Sequence, residues 1–343
     1  VDLDADGDID VLAPTRAGLY WLENLGPGSL DSAPRTMLPP ELSQRSRPAP
    51  LLVLTETASG SRPIRNGLDW GFRRAQILQQ LELVMGPLPS PERRVPLNVE
   101  YTSREETEHY VRHRISYQAE FGDRVPAYLL VPHQRLRPAP AVLCLHPTSP
   151  LGKDQVCGLG GQPSCFYAHE LAERGFVCLA PDYPSFGEYG YDFAAAANAY
   201  PSGTMKAIWN NVRAVDLLES LEVVDANRIA CIGHSLGGHN GLFTAAFDQR
   251  IRAVVTSCGF NAFEDYSGGD LTGWSSARYM PRIQTVYGAD HERMPFDFHE
   301  VLGALAPRPV FVCAPLHDEN FPVAGVRKVV DRVQPVYDLL GAG

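Results

Sequence analysis

Between residues 97 and 132 apolar side chains return at every second position: Leu97, Val99 and Tyr101, then Val111, His113, Ile115 and Tyr117, then Val125, Ala127, Leu129 and Val131. A period of two belongs to strands with one buried face, so three antiparallel strands are expected, the last two joined through Glu120, Phe121, Gly122 and Asp123. At 141–145 the alternation stops. Ala141, Val142, Leu143, Cys144 and Leu145 form an unbroken apolar run, as in a strand buried on both faces. Downstream the pattern alternates: helix 165–174, strand 176–180, helix 204–221, strand 228–232, a helix through 240–246, strand 251–258, helix 296–305, strand 309–313 and helix 323–340. This rhythm predicts an α/β fold with a doubly wound, mostly parallel sheet and an antiparallel strand set on its N-terminal side.

Upstream, a 3.6-residue period begins near Asn66 and runs through Trp70, Phe72, Ile77, Leu78, Leu81 and Val84 until Gly86 and Pro87 stop it. Residues 26–65 are rich in Pro, Ser and Arg around one apolar run, Leu51 to Leu54, and are expected to be a poorly ordered linker. The expected division is therefore a short N-terminal segment, 1–25, the linker, 26–65, and one large domain, 66–343.

Composition narrows the function classes. A chain of 343 residues with 44% hydrophobic and 20% charged residues suits a globular protein. Its net charge of −10, with no Lys/Arg run, argues against nucleic acid as a partner and does not favour acidic substrates. No apolar run approaches the roughly 20 residues that cross a bilayer, so no membrane partner is expected, and the first residues do not resemble a secretory signal. Five of the seven cysteines, Cys144, Cys178, Cys231, Cys258 and Cys313, lie in expected strands as small buried hydrophobes. Cys157 and Cys165 are free to pair, but the odd total gives little reason to expect a disulfide framework.

The chemistry gathers at 229–238, where an apolar strand leads into Gly233, His234, Ser235, Leu236, Gly237 and Gly238 and then into a helix. Strand, G-x-S-x-G turn and helix make a nucleophile elbow, which holds a serine hydroxyl above the sheet while the flanking glycines let neighbouring backbone pass close. Ser235 is the expected nucleophile. The N–H of Leu236, at the helix N-terminus, is the expected first donor of an oxyanion hole.

At the other end of the chain, Asp2, Asp4, Asp6, Asp8 and Asp10 alternate around Gly7, as oxygen ligands of a calcium ion would. The spacing is not that of an EF-hand, because Ala13 stands where the bidentate Glu is needed. With Gly18 to Asn24 this opening resembles one FG-GAP/VCBS repeat of calcium-binding β-propellers. The resemblance implies a short β-repeat remnant and calcium as a cofactor there, and it favours a secreted or periplasmic location over the cytoplasm, which the unpaired cysteines would tolerate.

Residues 66–343 resemble an α/β-hydrolase of the group that holds dienelactone hydrolases, acetylxylan esterases and the catalytic domain of prolyl oligopeptidases. The resemblance rests on 233–238, on Leu145, His146, Pro147 and Thr148, and on 316–322 (Leu316, His317, Asp318, Glu319, Asn320, Phe321, Pro322). It departs from dienelactone hydrolases proper in having serine, not cysteine, as nucleophile. It implies the order nucleophile, acid, histidine, which makes Asp318 the expected acid with Glu319 as fallback. It also places the second oxyanion donor at Thr148, with Ser149 as alternative, since Pro147 has no N–H. His146 is expected to order that loop, with Tyr183, Tyr189 and Trp274 as further pocket candidates.

No histidine follows His317. The family's base lies after one more strand, so the chain is expected to be a fragment lacking that strand and the catalytic-histidine loop. His234 and His239 are expected to pack or face solvent, and His291 and His299 are weaker candidates. The expected activity is hydrolysis of a small-molecule carboxylic ester through an acyl-enzyme without a catalytic cofactor, suppressed here because the general base is absent. Alternatives are a serine peptidase of the prolyl-oligopeptidase type and a non-catalytic, calcium-dependent binding or adhesion protein.

Overall fold

The computed structural model describes residues 13–15, 18–20, 50–56, 60–195 and 200–342. The candidate calcium ligands Asp2, Asp4, Asp6, Asp8 and Asp10 and the segment 21–24 lie outside the described residues; of the expected repeat, strands β1 (Ala13–Thr15) and β2 (Gly18–Tyr20) are described and pair antiparallel. A hairpin of β3 (Val53–Glu56) and β4 (Gly60–Pro63) precedes α1 (Gly67–Met85). The domain continues through β5 (Glu100–Glu106), β6 (Tyr110–Glu120), β7 (Asp123–Pro132), β8 (Ala139–Leu145), α2 (Lys153–Val156), α3 (Tyr167–Glu173), β9 (Val177–Pro181), α4 (Gly203–Ser220), β10 (Val224–His234) and α5 (Leu236–Phe247). It ends with β11 (Ile251–Ser257), α6 (Arg282–Thr285), α7 (Phe298–Gly303), β12 (Val310–Cys313) and α8 (Val323–Leu339).

Eight strands form one sheet in the order β12-β11-β10-β8-β9-β7-β6-β5. Its parallel half runs from β9 through β8, β10 and β11 to β12, and β5, β6 and β7 add the antiparallel side. This is the mostly parallel, helix-flanked sheet that the alternating pattern predicts and that the resemblance to α/β-hydrolases implies. Every residue of β8 and β9 is buried, as an unalternated apolar run between two helical layers requires. The β6–β7 turn falls at Phe121 and Gly122, where Gly122 takes φ +76°.

The first strand of the antiparallel set departs from expectation. It begins at Glu100, and all its residues are exposed. Leu97 and Val99 pack on the core before the strand starts, and the Leu97 carbonyl accepts the Gln118 N–H at 2.7 Å. The edge itself carries Ser103, Arg104, Glu105 and Glu106, charged residues that discourage pairing with another chain.

The expected linker is corrected in its second half. Leu51, Leu54 and Ile64 are buried in the main core, so the segment from 50 onward belongs to the domain. The apolar run at 51–54 docks because α1 leaves its Trp70 face for it. On α1, Asn66 caps the N-terminus by accepting the Asp69 N–H at 3.0 Å, and Gly86 at φ +92° ends the helix. Trp70, Ile77, Leu81 and Val84 are buried, while Phe72, counted in the apolar period, stays outside.

The cysteines also depart in part. All seven are free, Cys157 and Cys165 included; Cys258 lies one residue beyond β11, and it and Cys313 are only half-buried.

Two features of the core carry electrostatic consequences. Arg73 of α1 and Glu300 of α7 are buried and ion-paired, and Arg73 Nη1 also donates to Gln80 Oε1 at 3.2 Å. Separately, His239 on α5 and His299 on α7 are buried with no hydrogen bond at Nδ1, and burial pushes both imidazoles down to about 3.

Removing one member of the buried pair leaves the other charge in a site without water. Arg73→Met should therefore cost about 3 kcal/mol in urea unfolding, with Arg73→Met/Glu300→Leu recovering part of the loss. For the histidines, a base whose pKa is depressed by folding keeps its full stability above the unfolded value, about 6.5, and loses it as pH falls, because the unfolded chain protonates first. Between pH 6.5 and 4, His299→Gln should flatten the fall in unfolding free energy by about 1.4 kcal/mol per pH unit relative to the parent chain. An unchanged slope would mean that His299 is solvated.

Candidate active site

Strand β10 delivers Ser235 to the carboxyl edge of the sheet, between β8 and β11. Ser235 takes φ 52° and ψ −115°, a backbone conformation that side chains other than glycine rarely adopt and that costs on the order of 1–3 kcal/mol. The surroundings enforce it. The Ser235 N–H donates to the Ser257 carbonyl at 2.8 Å, and the Ser235 carbonyl accepts the His239 N–H at 3.1 Å. A Cβ on Gly233 would meet the Gly237 carbonyl carbon at 2.2 Å, and one on Gly237 would meet the Leu145 carbonyl oxygen at 2.0 Å. Neither position admits a larger residue, so strand, turn and helix lock together with the serine half-buried at the bend.

Leu236 is buried and opens α5, so its N–H points out of the first helical turn toward the region in front of Ser235. Across from it lies the loop after β8. His146 is buried and both ring nitrogens are engaged: the Tyr183 N–H donates to Nε2 at 2.9 Å, which leaves Nδ1 to donate to the Pro147 carbonyl at 2.7 Å. Those bonds fix a neutral tautomer, and burial holds the ring below the usual histidine range. His146 is thus a strut between the 146–149 loop and the segment after β9. Thr148, exposed next to it, has its hydroxyl 3.1 Å from the Tyr279 hydroxyl. Ser149 is turned inward and accepts the Leu151 N–H at 3.2 Å through Oγ.

Asp318 lies in the loop after β12. Its Oδ1 accepts the N–H groups of Asn320 at 2.9 Å and Phe321 at 3.0 Å, just before α8. The carboxylate also faces Cys258, whose thiol is pushed up to about 12, first by burial and then by the Asp318 charge. It faces His234 as well. Burial lowers the His234 pKa and Asp318 partly restores it, and His234 Nδ1 is 3.1 Å from Ser257 Oγ. Ser235, Cys258 and Asp318 therefore occupy the carboxyl ends of three adjacent strands, β10, β11 and β12. Glu319 and His317 are exposed in the same loop.

The remaining pocket candidates divide. Tyr183 is buried, donates its hydroxyl to the Arg278 carbonyl at 2.7 Å, and clusters with Phe186 and Leu236. With His146, Asp182, Asn210 and Asn240 it lines a small cavity behind Gly237. Tyr189 instead donates to Asp123 Oδ2 at 2.6 Å, within the network under α4. Trp274 is sealed in an aromatic cluster, 4.7 Å from the His239 ring and 6.0 Å from Phe321. It backs the site and does not line it. His239 packs against Trp274 and Tyr279, His299 belongs to the core, and His291 rests on Gly269, so none of the three imidazoles is hydrogen-bonded to the Ser235 hydroxyl. Among the described residues, His169, Glu170 and Glu173 on α3 are close enough to share a cation and take no part in the serine site.

Cys258 and the bond from Tyr279 to Thr148 escape sequence reasoning. Cys258 looks like another strand cysteine, yet φ +48° marks it as the point where the chain leaves β11. Tyr279 sits in a 35-residue stretch without hydrophobic periodicity, between 261 and 295, and no pattern aims it at residue 148.

A profile of the prolyl oligopeptidase family matches residues 164–339, just over half the chain and all of the segment from the β9 approach to α8. The Bacillus subtilis (strain 168) protein named "Putative hydrolase YtaP" is 28% identical over 278 residues, covering 78% of this chain and 89% of that protein. Carbohydrate esterase MZ0003, from an unknown prokaryotic organism, is 25% identical over 141 residues, 38% of this chain and 32% of the esterase, so the chain spans about a third of that relative. Among solved structures, the glucuronoyl esterase from Solibacter usitatus superposes with a TM-score of 0.61 at 22% identity, covering 86% of each chain. The acetyl xylan esterase from Paenibacillus sp. R4 gives 0.54 at 17% identity, covering 86% of this chain and 90% of the other. These likenesses place the fold among α/β-hydrolases. The match of the family profile, which spans the Ser235 turn and the Asp318 loop, carries the assignment further: the chain belongs to the prolyl oligopeptidase family.

Proposed function

We propose that the chain is a serine hydrolase acting on carboxylic esters through an acyl-enzyme. The strained Ser235 backbone between Gly233 and Gly237 is the observation that carries the proposal, because the crowded strand-to-helix turn holds the serine at the carboxyl edge of the sheet, in front of the first turn of α5. In the reaction, Ser235 Oγ attacks the ester carbonyl carbon, the alkoxide departs with a proton, and water then releases the acid. The N–H groups of Leu236 and Thr148, neither given to an acceptor among the described residues, are the assigned oxyanion donors. Asp318 is the acid that would orient a protonated imidazole. The names of the relatives, a carbohydrate esterase and two sugar-ester esterases by fold, support an ester over an amide.

No imidazole among the described residues is hydrogen-bonded to the Ser235 hydroxyl, so the serine is expected to be weakly activated. A peptidase reading has one observation of its own, the family match. Cleavage of peptide anilides in preference to aryl esters would select it.

With p-nitrophenyl acetate the chain should hydrolyse slowly, and added imidazole should raise the rate by general-base rescue; Ser235→Ala should lose the rescued component entirely. Equal imidazole-dependent rates in the two proteins would rule out Ser235. Within the rescued rate, Thr148→Pro, which removes the N–H, should cost about 10²-fold, whereas Thr148→Ala, which keeps it, should cost little.

A further inference from the structure

The insertion that supplies Tyr279 places a cation beside the serine site. The Arg278 guanidinium carbon lies 4.3 Å from the centroid of the Phe186 ring, and its Nε donates to Ser185 Oγ at 2.9 Å. Ser185 is itself held at φ +72°, with its N–H donated to the Tyr189 carbonyl at 3.0 Å. The Arg278 backbone is pinned as well, by the Tyr183 hydroxyl. Stacking and Nε together fix the plane of the side chain. They leave the two terminal nitrogens as a fork.

No carboxylate among the described residues takes that fork. Glu188, three residues from Ser185, is engaged by Arg114 at 2.6 Å and by Lys153 at 3.2 Å, and Asp182 is engaged by Lys153 at 2.8 Å. The place of the fork is defined by its neighbours. Phe186 packs edge-on to His146 at 5.7 Å and clusters with Leu236, and Tyr279, the next residue along, meets Thr148. Arg278 thus stands one aromatic ring away from both assigned oxyanion segments.

We propose that Arg278 is a specificity-determining residue that binds a free carboxylate on the substrate, so that the site selects esters carrying a second, ionised acid group, such as half-esters of dicarboxylic acids. The inference rests on the serine-hydrolase reading only for the word substrate; the carboxylate site itself rests on Arg278, Ser185 and Phe186. A planar, half-buried guanidinium with its fork free matches a carboxylate bidentately, which an ammonium cannot do. The net charge of −10 does not oppose it. Long-range repulsion between exposed charges is screened beyond about 8 Å at physiological salt, whereas a contact pair in a partly buried site is screened much less.

The test measures equilibrium binding by titration calorimetry at pH 7 in the Ser235→Ala background, so that no ester is consumed. Monomethyl glutarate should bind about tenfold or more tightly than dimethyl glutarate. Arg278→Met should reduce that preference to less than about twofold, and Arg278→Lys should retain only part of it. Melting temperatures near that of the background protein identify variants that remain folded, and the lysine variant serves if the methionine one does not. Equal binding of the two esters, no binding of either at 10 mM (about the weakest affinity calorimetry resolves), or a preference that survives in Arg278→Met would overturn the assignment. Imidazole-rescued hydrolysis of p-nitrophenyl acetate by the unmutated chain, set against Ser235→Ala, reports on Ser235 separately. Absence of a Ser235-dependent rescued rate with the preference intact supports the carboxylate site without the hydrolase, and a rescued rate without the preference overturns the carboxylate site alone.

Discussion

The site depends on a steric constraint, the crossing of three backbones with no room for a side chain. Where β10 turns into α5, Gly233 touches the backbone of Gly237, and Gly237 touches the carbonyls at the end of β8. A methyl group at either place would require shifts of an ångström or more in a packed core, so the geometry of Ser235 is fixed before any catalytic group is considered. The same crowding ties the nucleophile turn to the loop carrying Thr148, because Leu145 ends the strand that begins that loop. Ser235 and the proposed oxyanion donors are set by one contact, which makes their relative position stiff.

Around this constraint, buried charge networks decide how the aromatic loop after β9 is shared out. Lys153 is fully buried and binds Asp182 and Glu188, while Asp182 also accepts the Lys153 and Glu188 N–H groups, at 2.8 and 3.0 Å. This ties α2 to the start of the loop and turns Tyr183 and Phe186 toward the serine. Further along, Lys206 of α4 binds Glu120 and Asp123, and Tyr189 and Tyr200 donate to the same two carboxylates. One loop with six aromatic residues is thereby split into a part that packs near the serine and a part anchored to the β6–β7 turn. Taking either lysine out of its carboxylates would leave an unpaired buried charge, so the division is enforced energetically.

The order of strands and helices and the serine turn were legible from the sequence because both are local: period two, period 3.6 and a glycine-flanked serine each act within a dozen residues. What escaped depended on partners far away in the chain. Leu51 and Leu54 read as linker because nothing nearby signals that Trp70 and α7 lie beneath them. Tyr189 and Tyr183 are equivalent as text, six residues apart in a tyrosine-rich loop, and separate only because Asp123 is 66 positions from the one and Arg278 is 95 from the other. Arg278 itself sits in an aperiodic insertion, where its stacking on Phe186 has no one-dimensional trace.

Asp318 shows how a structural role and the proposed catalytic one can share a geometry. From the sequence, an aspartate before a helix is either a cap or an acid, and the two seem to compete. In the structure the Asn320 and Phe321 amides hold a single oxygen, Oδ1. Two N–H donors on one oxygen fix the plane of the carboxylate. The charge then remains directed at Cys258 and His234, on the side of the sheet where Ser235 stands. A fixed plane is what a carboxylate needs if it is to hold an imidazole in one orientation. Capping is the means by which Asp318 would be fit for the acid's part.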